Sequence, residues 1–276
     1  MAAPEPRAAL VTGATDGLGR ALAERLAADG FAVVLHGRSP QRLAEAAAQI
    51  CAATGAERVR TVCADFASLE DVRRMAGELN AALPALHVLV NNAGIGSGLP
   101  DGTTRQESRD GHELRFAVNH LAGFLLTREL TPLLRRSAPA RIVNVASVGQ
   151  QAIDFDDVML TRGYSGTRAY CQSKLAQVMC GFELAERLVP DGIAVNSLHP
   201  ADYMPTKIVL EEIGHTIDAL SVGVEATLRL ATAPELAGVT GRYFERGREA
   251  TAHRQAYDAE ARRRLWELSE RLTGGV

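Results

Sequence analysis

Lysine is almost absent from this chain. Its 276 residues include 30 lysines and arginines, and only Lys174 and Lys207 are lysines. A lysine in such a sequence points to a role that a guanidinium cannot fill. Arginine stays protonated in proteins, whereas lysine releases its proton when its pKa falls.

Cysteine is also scarce. The four cysteines, Cys51, Cys63, Cys171 and Cys180, form no CxxC pair and have no histidine at metal-ligand spacing. We therefore expect free thiols in a reducing compartment and no metal site.

Long apolar runs and an excess of positive charge are absent too. No run approaches the ~18 residues needed to span a bilayer, and the start MAAPEPR lacks the features of a signal peptide. The formal net charge of −3 gives no reason to expect nucleic acid or an anionic membrane as a partner. We expect a cytoplasmic protein that binds neither.

Short apolar runs alternate with longer stretches of helical periodicity. The predicted strands are 8–12, 31–36, 58–64, 87–94, 140–147, 192–199 and, at one edge, 241–245. The predicted helices are 18–29, 41–53, 69–82, 112–136, 168–188 and 253–272. This alternation favours an α/β fold: a single domain over residues 1–276 with a doubly wound parallel sheet and helices on both faces.

Three segments have no predicted structure, except that IVLEEIG (208–214) suggests a short amphipathic lid. They are 95–110, 148–167 and 201–222, and they follow the fourth, fifth and sixth strands. Connections at the carboxyl ends of the strands build the ligand crevice of a doubly wound sheet. Residues 8–147 should therefore mainly bind a cofactor, and 148–222 should supply catalytic and substrate loops.

The segment TGATDGLG (12–19) joins the first strand to the first helix. Its glycines permit a tight turn in which helix N-terminal amides face a pyrophosphate. Small residues in NNAG (91–94) let backbone approach the same ligand. The expected contacts with an adenine dinucleotide are Gly13, Thr15, Asp16, Gly17, Leu18, Gly19, Asn92, Ala93 and Gly94.

The end of the second strand discriminates between two dinucleotides. It has no acid to hold the ribose hydroxyls of NAD, and Arg38 favours the 2′-phosphate of NADP. We expect NADP(H), with NAD(H) as the alternative. Asp65 is expected to accept from the adenine amine; its alternative is to cap the next helix, for which Ser68 competes. The expected contacts here are His36, Arg38, Ser39, Asp65 and Phe66.

Tyr170 and Lys174 lie four residues apart in a predicted helix, downstream of Ser147 at the end of the fifth strand. This spacing places both side chains on one helix face. A neighbouring ammonium stabilises a phenolate and lowers the tyrosine pKa toward neutral pH. The pattern predicts a proton-handling site; the alternative is a surface pair of side chains at i,i+4 spacing.

Together these motifs resemble the short-chain dehydrogenase/reductases. The matching features, in the family's order, are TGATDGLG, Asp65, NNAG, VNH with Asn119, Ser147, Tyr170 with Lys174, and HP (199–200). The stretches FAVNHLAGFLLTRELTPLL, YCQSKLAQV and RRRLWELSERLTGG are similar to the retinol-dehydrogenase-like branch, which commonly uses NADP(H).

The resemblance implies a Rossmann sheet of order 3-2-1-4-5-6-7 and interconversion of a ketone or aldehyde with its alcohol. Ser147 would hold the carbonyl oxygen, and Tyr170 would give or take its proton. Lys174 would bind the nicotinamide ribose and tune Tyr170. Asn119 would position a relay water, and Pro200 would contact the cofactor.

Several features depart from the family's pattern. HPAD (199–202) replaces the usual HPG, so Asp202 is expected to add an acid beside the substrate mouth. Asp16 stands where NADP-preferring relatives often have a basic residue. The membrane anchors of the branch are not seen, so no retinoid substrate is inferred.

Three expectations concern partners. A homodimer or homotetramer could form through helices 112–136 and 168–188, unless the C-terminal helix covers that face. Loop 148–167 mixes aromatic and acidic residues, which suggests a bulky, apolar carbonyl substrate; the alternative is that its acids pair with Arg162 and Arg168. The alternative to an enzyme is a non-catalytic dinucleotide-binding sensor or scaffold.

Overall fold

A computed structural model describes residues 6–98 and 101–274. Most of MAAPEPR, two residues of the segment 95–110 and the last two residues of the predicted domain lie outside the described residues. The strands are β1 (Ala8–Val11), β2 (Ala32–Gly37), β3 (Val59–Cys63), β4 (Val88–Asn91), β5 (Ala140–Val145), β6 (Ile193–His199), β7 (Arg242–Glu245) and β8 (Arg248–Ala250). The helices are α1 (Gly17–Ala28), α2 (Pro40–Thr54), α3 (Leu69–Ala82), α4 (Leu114–Phe116), α5 (Ala122–Arg136), α6 (Gly166–Leu188), α7 (Lys207–Glu212), α8 (Leu220–Thr232) and α9 (Ala259–Leu272).

One sheet has the strand order β3-β2-β1-β4-β5-β6-β7-β8. Strands β1 to β7 pair in parallel, which confirms the predicted fold class and strand order. The predicted edge at 241–245 is wrong because β8 pairs antiparallel with β7. The connecting residues Arg246 and Gly247 both have positive φ, as a two-residue hairpin turn with the twist of the strands requires.

Successive strand residues point to opposite faces, so the core has two halves. One half packs α3, α5, α6 and α9 against residues such as Leu10 and Val34. The other packs α1, α2 and α8 against residues such as Val11 and Leu35. Side-chain caps begin several of these helices, among them Ser39 at α2, Ser165 at α6 and Asp258 at α9.

Two helix predictions are corrected, and one helix was not predicted. The segment 112–136 is not one helix, because a π-helical turn at Ala117–Leu121 separates α4 from α5. This turn contains Asn119, whose side chain bonds the neighbouring loop and α6. α9 begins at Ala259, after a short 3₁₀ turn. Helix α8 was not predicted, and α7 overlaps the expected lid at 208–214.

Helix α9 covers the faces of α5 and α6. The ring of Trp266 packs edge-on against Phe124 at 4.9 Å, and the guanidinium of Arg187 lies 4.1 Å from the same indole. The Oγ of Ser269 lies 2.8 Å from Nε2 of His120. The C-terminal helix thus occupies the face considered for self-association, and association through another face stays a prediction. Over the described ranges, no helix has the length and apolar character to cross a bilayer.

Candidate active site

The glycine loop between β1 and α1 packs directly against the end of β4. Gly13 has a φ of +65°, and a Cβ atom there would lie 2.9 Å from the Cα of Ala93. A Cβ atom at Gly19 would overlap the carbonyl oxygen of Gly13. The Oγ1 of Thr12 accepts hydrogen bonds of 2.9 Å from the amides of Asn92 and Ala93. The residues present fit a dinucleotide cradle, since side chains have no room at this junction and a pyrophosphate would meet backbone amides.

The remaining loop residues divide between surface and core. The Oδ1 of Asp16 accepts a hydrogen bond of 2.7 Å from the next amide and caps α1, while its Oδ2 pairs with Arg42 at 3.0 Å. Leu18 is buried in the core, so its backbone alone is available to a ligand. The methyl group of Thr15 packs against Gly37, leaving that position no room for a Cβ atom.

His36 is buried under the glycine loop. Its Nδ1 accepts a hydrogen bond of 3.3 Å from the amide of Gly13, so Nε2 carries the proton and donates to the carbonyl of Ala64 at 3.2 Å. The imidazole stacks on the ring of Phe66 at 4.2 Å. Burial lowers the pKa of His36 to about 4. The ring therefore supports the loop as a neutral base; direct contact with a cofactor stays a prediction.

The end of β2 presents an exposed arginine to solvent. Arg38 follows the last residue of β2, and the Oγ of Ser39 accepts from the amide of Arg42 to cap α2. Arg42 in the first turn of α2 is a second cation at this corner, which the sequence analysis missed. Ser68 caps α3, while Oδ1 of Asp65 accepts from the amide two residues on.

Ser147 and Tyr170 converge beside Gly149. A Cβ atom at Gly149 would lie 3.4 Å from Oγ of Ser147 and 3.6 Å from Cε1 of Tyr170. Ser147 lies two residues beyond the end of β5, and its Oγ accepts a hydrogen bond of 3.0 Å from the amide of Gly149. Burial raises the pKa of Tyr170, and its hydrogen bond with Ser147 acts in the opposite direction. The direction is opposite to the predicted lowering of this pKa, because burial outweighs the hydrogen bond with Ser147.

Lys174 is held under the site, one turn after Tyr170. Its ammonium donates hydrogen bonds of 2.9 Å to the carbonyl of Val145 and to Oε1 of Gln177, and it lies 5.9 Å from the centroid of the Tyr170 ring. The residue is 5% exposed, and burial lowers the pKa of its ammonium to about 8. The structure therefore excludes the surface-pair alternative. Gln177 was missed, although its position three residues after Lys174 is a usable signal.

Asn119 lies in the π-helical turn and joins the β4–α4 loop to α6. Its Oδ1 accepts a hydrogen bond of 2.8 Å from the amide of Ile95, and its Nδ2 donates to Oγ of Ser173 at 2.9 Å. A Cβ atom at Gly94 would lie 3.1 Å from this Oδ1 and 3.5 Å from Nζ of Lys174. The structure thus brings Gly94, Asn119 and Lys174 together, and the roles assigned to them stay predictions.

The HPAD segment does not place a free acid at the substrate mouth. Pro200 is buried directly after β6. The Oδ1 of Asp202 lies 2.8 Å from Nε2 of His199, and its Oδ2 forms an ion pair with Arg246. Its amide donates to Oδ2 of Asp218 at 2.8 Å. The carboxylate of Asp202 is therefore paired within the protein, and its position beside the substrate mouth stays a prediction.

Most side chains singled out in loop 148–167 have partners within the protein. Asp154 pairs with Arg168 at 2.9 Å, and Asp157 lies 3.7 Å from Arg162. Phe155 and Met159 pack against the core. The alternative that these acids pair with arginines is what the structure shows, so this loop gives no direct support for an apolar substrate. Within residues 6–98 and 101–274, no cluster of acidic, histidine or cysteine side chains suits a metal ion.

The family model for short chain dehydrogenases matches residues 7–213. Retinol dehydrogenase 13 of Homo sapiens is 36% identical over 288 residues, which cover 96% of this chain and 84% of that protein. Polyprenol dehydrogenase of Mus musculus is 37% identical over 291 residues, which cover 98% of this chain and 85% of that protein.

A solved structure shows the same architecture. The RhlG/NADP active-site complex of Pseudomonas aeruginosa matches with a TM-score of 0.70 and 27% sequence identity, covering 87% of this chain and 94% of that chain. Members of this family bind NAD(P), and the crevice described above fits such a group. With its family match and its retinol and polyprenol dehydrogenase relatives, the chain belongs to the short-chain dehydrogenase family, in its retinol-dehydrogenase-like branch, and is an oxidoreductase acting on alcohol and carbonyl groups.

Proposed function

We propose that this enzyme interconverts a ketone or aldehyde and its alcohol with NADP(H), using Tyr170 as the general acid and base. The observation that carries the proposal is the convergence of Ser147 and Tyr170 at Gly149, with the ammonium of Lys174 fixed beneath them. Bound NADP(H) would supply or accept the hydride at the substrate carbon.

The protein's own residues supply the proton and its control. The hydroxyl of Ser147 would donate to the substrate oxygen, and the phenol of Tyr170 would protonate that oxygen as it gains charge. A raised pKa keeps Tyr170 protonated at neutral pH, which suits reduction. For the reverse reaction, the charge of Lys174 would stabilise the phenolate. Asn119 is bonded to Ile95 and Ser173. It would hold the β4–α4 loop and α6 in fixed relative positions next to a relay water.

The preference for NADP(H) rests on the corner between β2 and α2. Arg38 is exposed there, and Arg42 stands four residues on with its guanidinium against Asp16. Two arginines would attract a 2′-phosphate, with Asp16 offsetting part of that attraction. The RhlG/NADP complex supports this choice.

An apolar substrate is supported by the relatives and by α7. The two relatives are named for retinol and polyprenol, both apolar alcohols. On and just after α7, large apolar side chains are exposed at Ile208 (38%), Leu210 (53%) and Ile213 (40%). An apolar carbonyl compound would find matching surface there.

The test is a Tyr170→Phe variant, with NADPH consumption measured against a panel of aldehydes and ketones. Loss of the general acid should lower kcat by about 10²- to 10⁴-fold while NADPH still binds. Tyr257→Phe, which changes an exposed tyrosine outside the site, is the matched control and should keep wild-type turnover. Full turnover by Tyr170→Phe would refute the proposed role. Tight NADPH binding by the wild-type protein, with no turnover on the panel, would favour a sensor.

A further inference from the structure

Residues 202–218, named the lid here, form a loop whose two ends are tied together. The amide of Asp218 donates to the carbonyl of Asp202 at 3.0 Å, and the amide of Ile217 donates to the carbonyl of Tyr203 at 3.1 Å. Arg246 in the β7–β8 turn forms ion pairs with both Asp202 and Asp218. The two ends of the lid are therefore held together beside the β7–β8 turn, and α7 lies between these ends.

At α7 the lid is bonded to the opposite side of the crevice through the carboxylate of Glu212. The Oε2 of Glu212 accepts hydrogen bonds from the amide of Ser97 at 2.9 Å, from Oγ of Ser97 at 3.0 Å and from the amide of Gly98 at 2.8 Å. These donors belong to the loop after β4. The side chains of Glu212 and Ile208 leave no room for a Cβ atom at Gly96. Thr206, at the start of α7, packs in the same way on Gly17 of the cofactor loop.

The position of Glu212 gives its charge a second effect. Its carboxylate is bonded to Ser97 and Gly98 in the loop after β4. The same loop includes Gly94, where a Cβ atom would lie 3.5 Å from Nζ of Lys174. A substrate that reaches Ser147 and Tyr170 must therefore enter beside a fixed negative charge. An anionic substrate would be repelled there, whereas a neutral one would not.

We propose that Glu212 is a specificity-determining residue that closes the lid through Ser97 and Gly98 and excludes anionic carbonyl compounds from the site. The proposal rests on the proposed function, because it concerns the substrate of that site. It has two separable parts, since glutamine at this position keeps an oxygen acceptor for the three donors but loses the charge, while alanine loses both.

Lid closure is measured without any substrate. The chain has two lysines: Lys207 in α7 has 61% of its side chain exposed, whereas Lys174 is buried at 5% exposure. Limited digestion with a lysine-specific protease therefore reports lid opening at Lys207. We expect Glu212→Ala to be cut about tenfold faster than wild type, and Glu212→Gln at close to the wild-type rate. Unchanged cleavage of Glu212→Ala would overturn the closing role.

Charge discrimination is measured with benzaldehyde and 4-carboxybenzaldehyde as neutral and anionic probes. We expect Glu212→Gln to raise the anionic-to-neutral ratio of kcat/KM by about fivefold to tenfold. Glu211→Gln removes the same charge from an exposed pair with Lys207 and should leave the ratio unchanged. An unchanged ratio in Glu212→Gln, or an equal rise in both variants, would overturn the discrimination. If the wild type reduces neither probe nor any member of the carbonyl panel, the proposed function fails, and so does the proposed charge discrimination. The digestion experiment needs no substrate, so it still tests the role of Glu212 in lid closure.

Discussion

The ammonium of Lys174 donates a hydrogen bond of 2.9 Å to Oε1 of Gln177, one turn further along α6. With the carbonyl of Val145 as its second acceptor, this bond fixes the position of a cation that burial would otherwise disfavour. Gln177 is thus a positioning residue for Lys174, the lysine to which the proposed function gives a role in proton handling.

Changes at Gln177 should move the alkaline limb of the pH profile of kcat. Burial already lowers the pKa of Lys174 to about 8. Gln177→Leu removes an acceptor of the charged form, so it should lower that pKa further, shift the limb to lower pH and reduce kcat about tenfold. Gln177→Glu should shift the limb to higher pH. Gln172→Leu is the control: it loses a hydrogen bond to Ala152 instead, and it should leave the alkaline limb of the profile in place. A purely structural role for Gln177 would not shift this limb in opposite directions in the two Gln177 variants.

Gly19→Ala should abolish dinucleotide binding. A methyl group there would overlap the carbonyl oxygen of Gly13 and the side-chain nitrogen Nδ2 of Asn92, so the glycine loop would have to move away from β4. Gly77→Ala is the control, because nothing lies within 4 Å of a Cβ atom at Gly77 in α3. That variant should be more stable by about 0.5 to 1 kcal/mol, since alanine is the better helix residue. Isothermal titration with NADPH and urea unfolding measure the two effects; wild-type affinity in Gly19→Ala would contradict the assigned cradle.

Arg38→Gln should weaken NADPH binding and leave NADH binding nearly unchanged. An exposed arginine at a 2′-phosphate contributes about 1.4 kcal/mol or more, which corresponds to a tenfold change in Kd. Arg242→Gln changes an arginine at the other side of the sheet, where it pairs with Glu249, and should change neither affinity. Equal losses for NADPH and NADH in Arg38→Gln would argue against phosphate recognition.

His36 should make the protein less stable in acid. Its pKa is lowered to about 4 by burial, so below pH 6.5 the unfolded chain takes up a proton that the folded chain refuses. Its contribution to stability is therefore complete above about pH 6.5 and falls by about 3 kcal/mol as the pH drops to 4. Urea unfolding across this range should show a flatter profile for His36→Gln. Other buried histidines such as His120 titrate in both proteins and cancel in the difference; identical pH slopes would contradict the assignment.

The glycine loop and the Tyr170–Lys174 pair could be predicted because their geometry is local. A strand followed by TGATDGLG and a helix places three glycines at one turn, and four-residue spacing puts two side chains on one helix face. The alternation of strands and helices predicted a doubly wound parallel sheet, and the family resemblance implied its strand order. The structure confirms the order, and the assigned roles of these residues await the experiments above.

Contacts between distant segments could not be read from residue patterns. The HPAD motif gives no sign that Asp202 bonds to Asp218 and pairs with Arg246, which lie 16 and 44 residues later in the chain. Glu212 carries no motif, and its donors lie 115 and 114 residues earlier in the chain.

The sequence by itself therefore determined the doubly wound sheet, the glycine loop and the tyrosine–lysine helix, because periodicity and short spacings dictate them. The tertiary structure alone decided that His36 is buried under the glycine loop, that α9 covers α5 and α6, and that burial sets the direction of the pKa of Tyr170. These features depend on which surfaces meet and which charges lose water, and that is settled only when distant parts of the chain pack together.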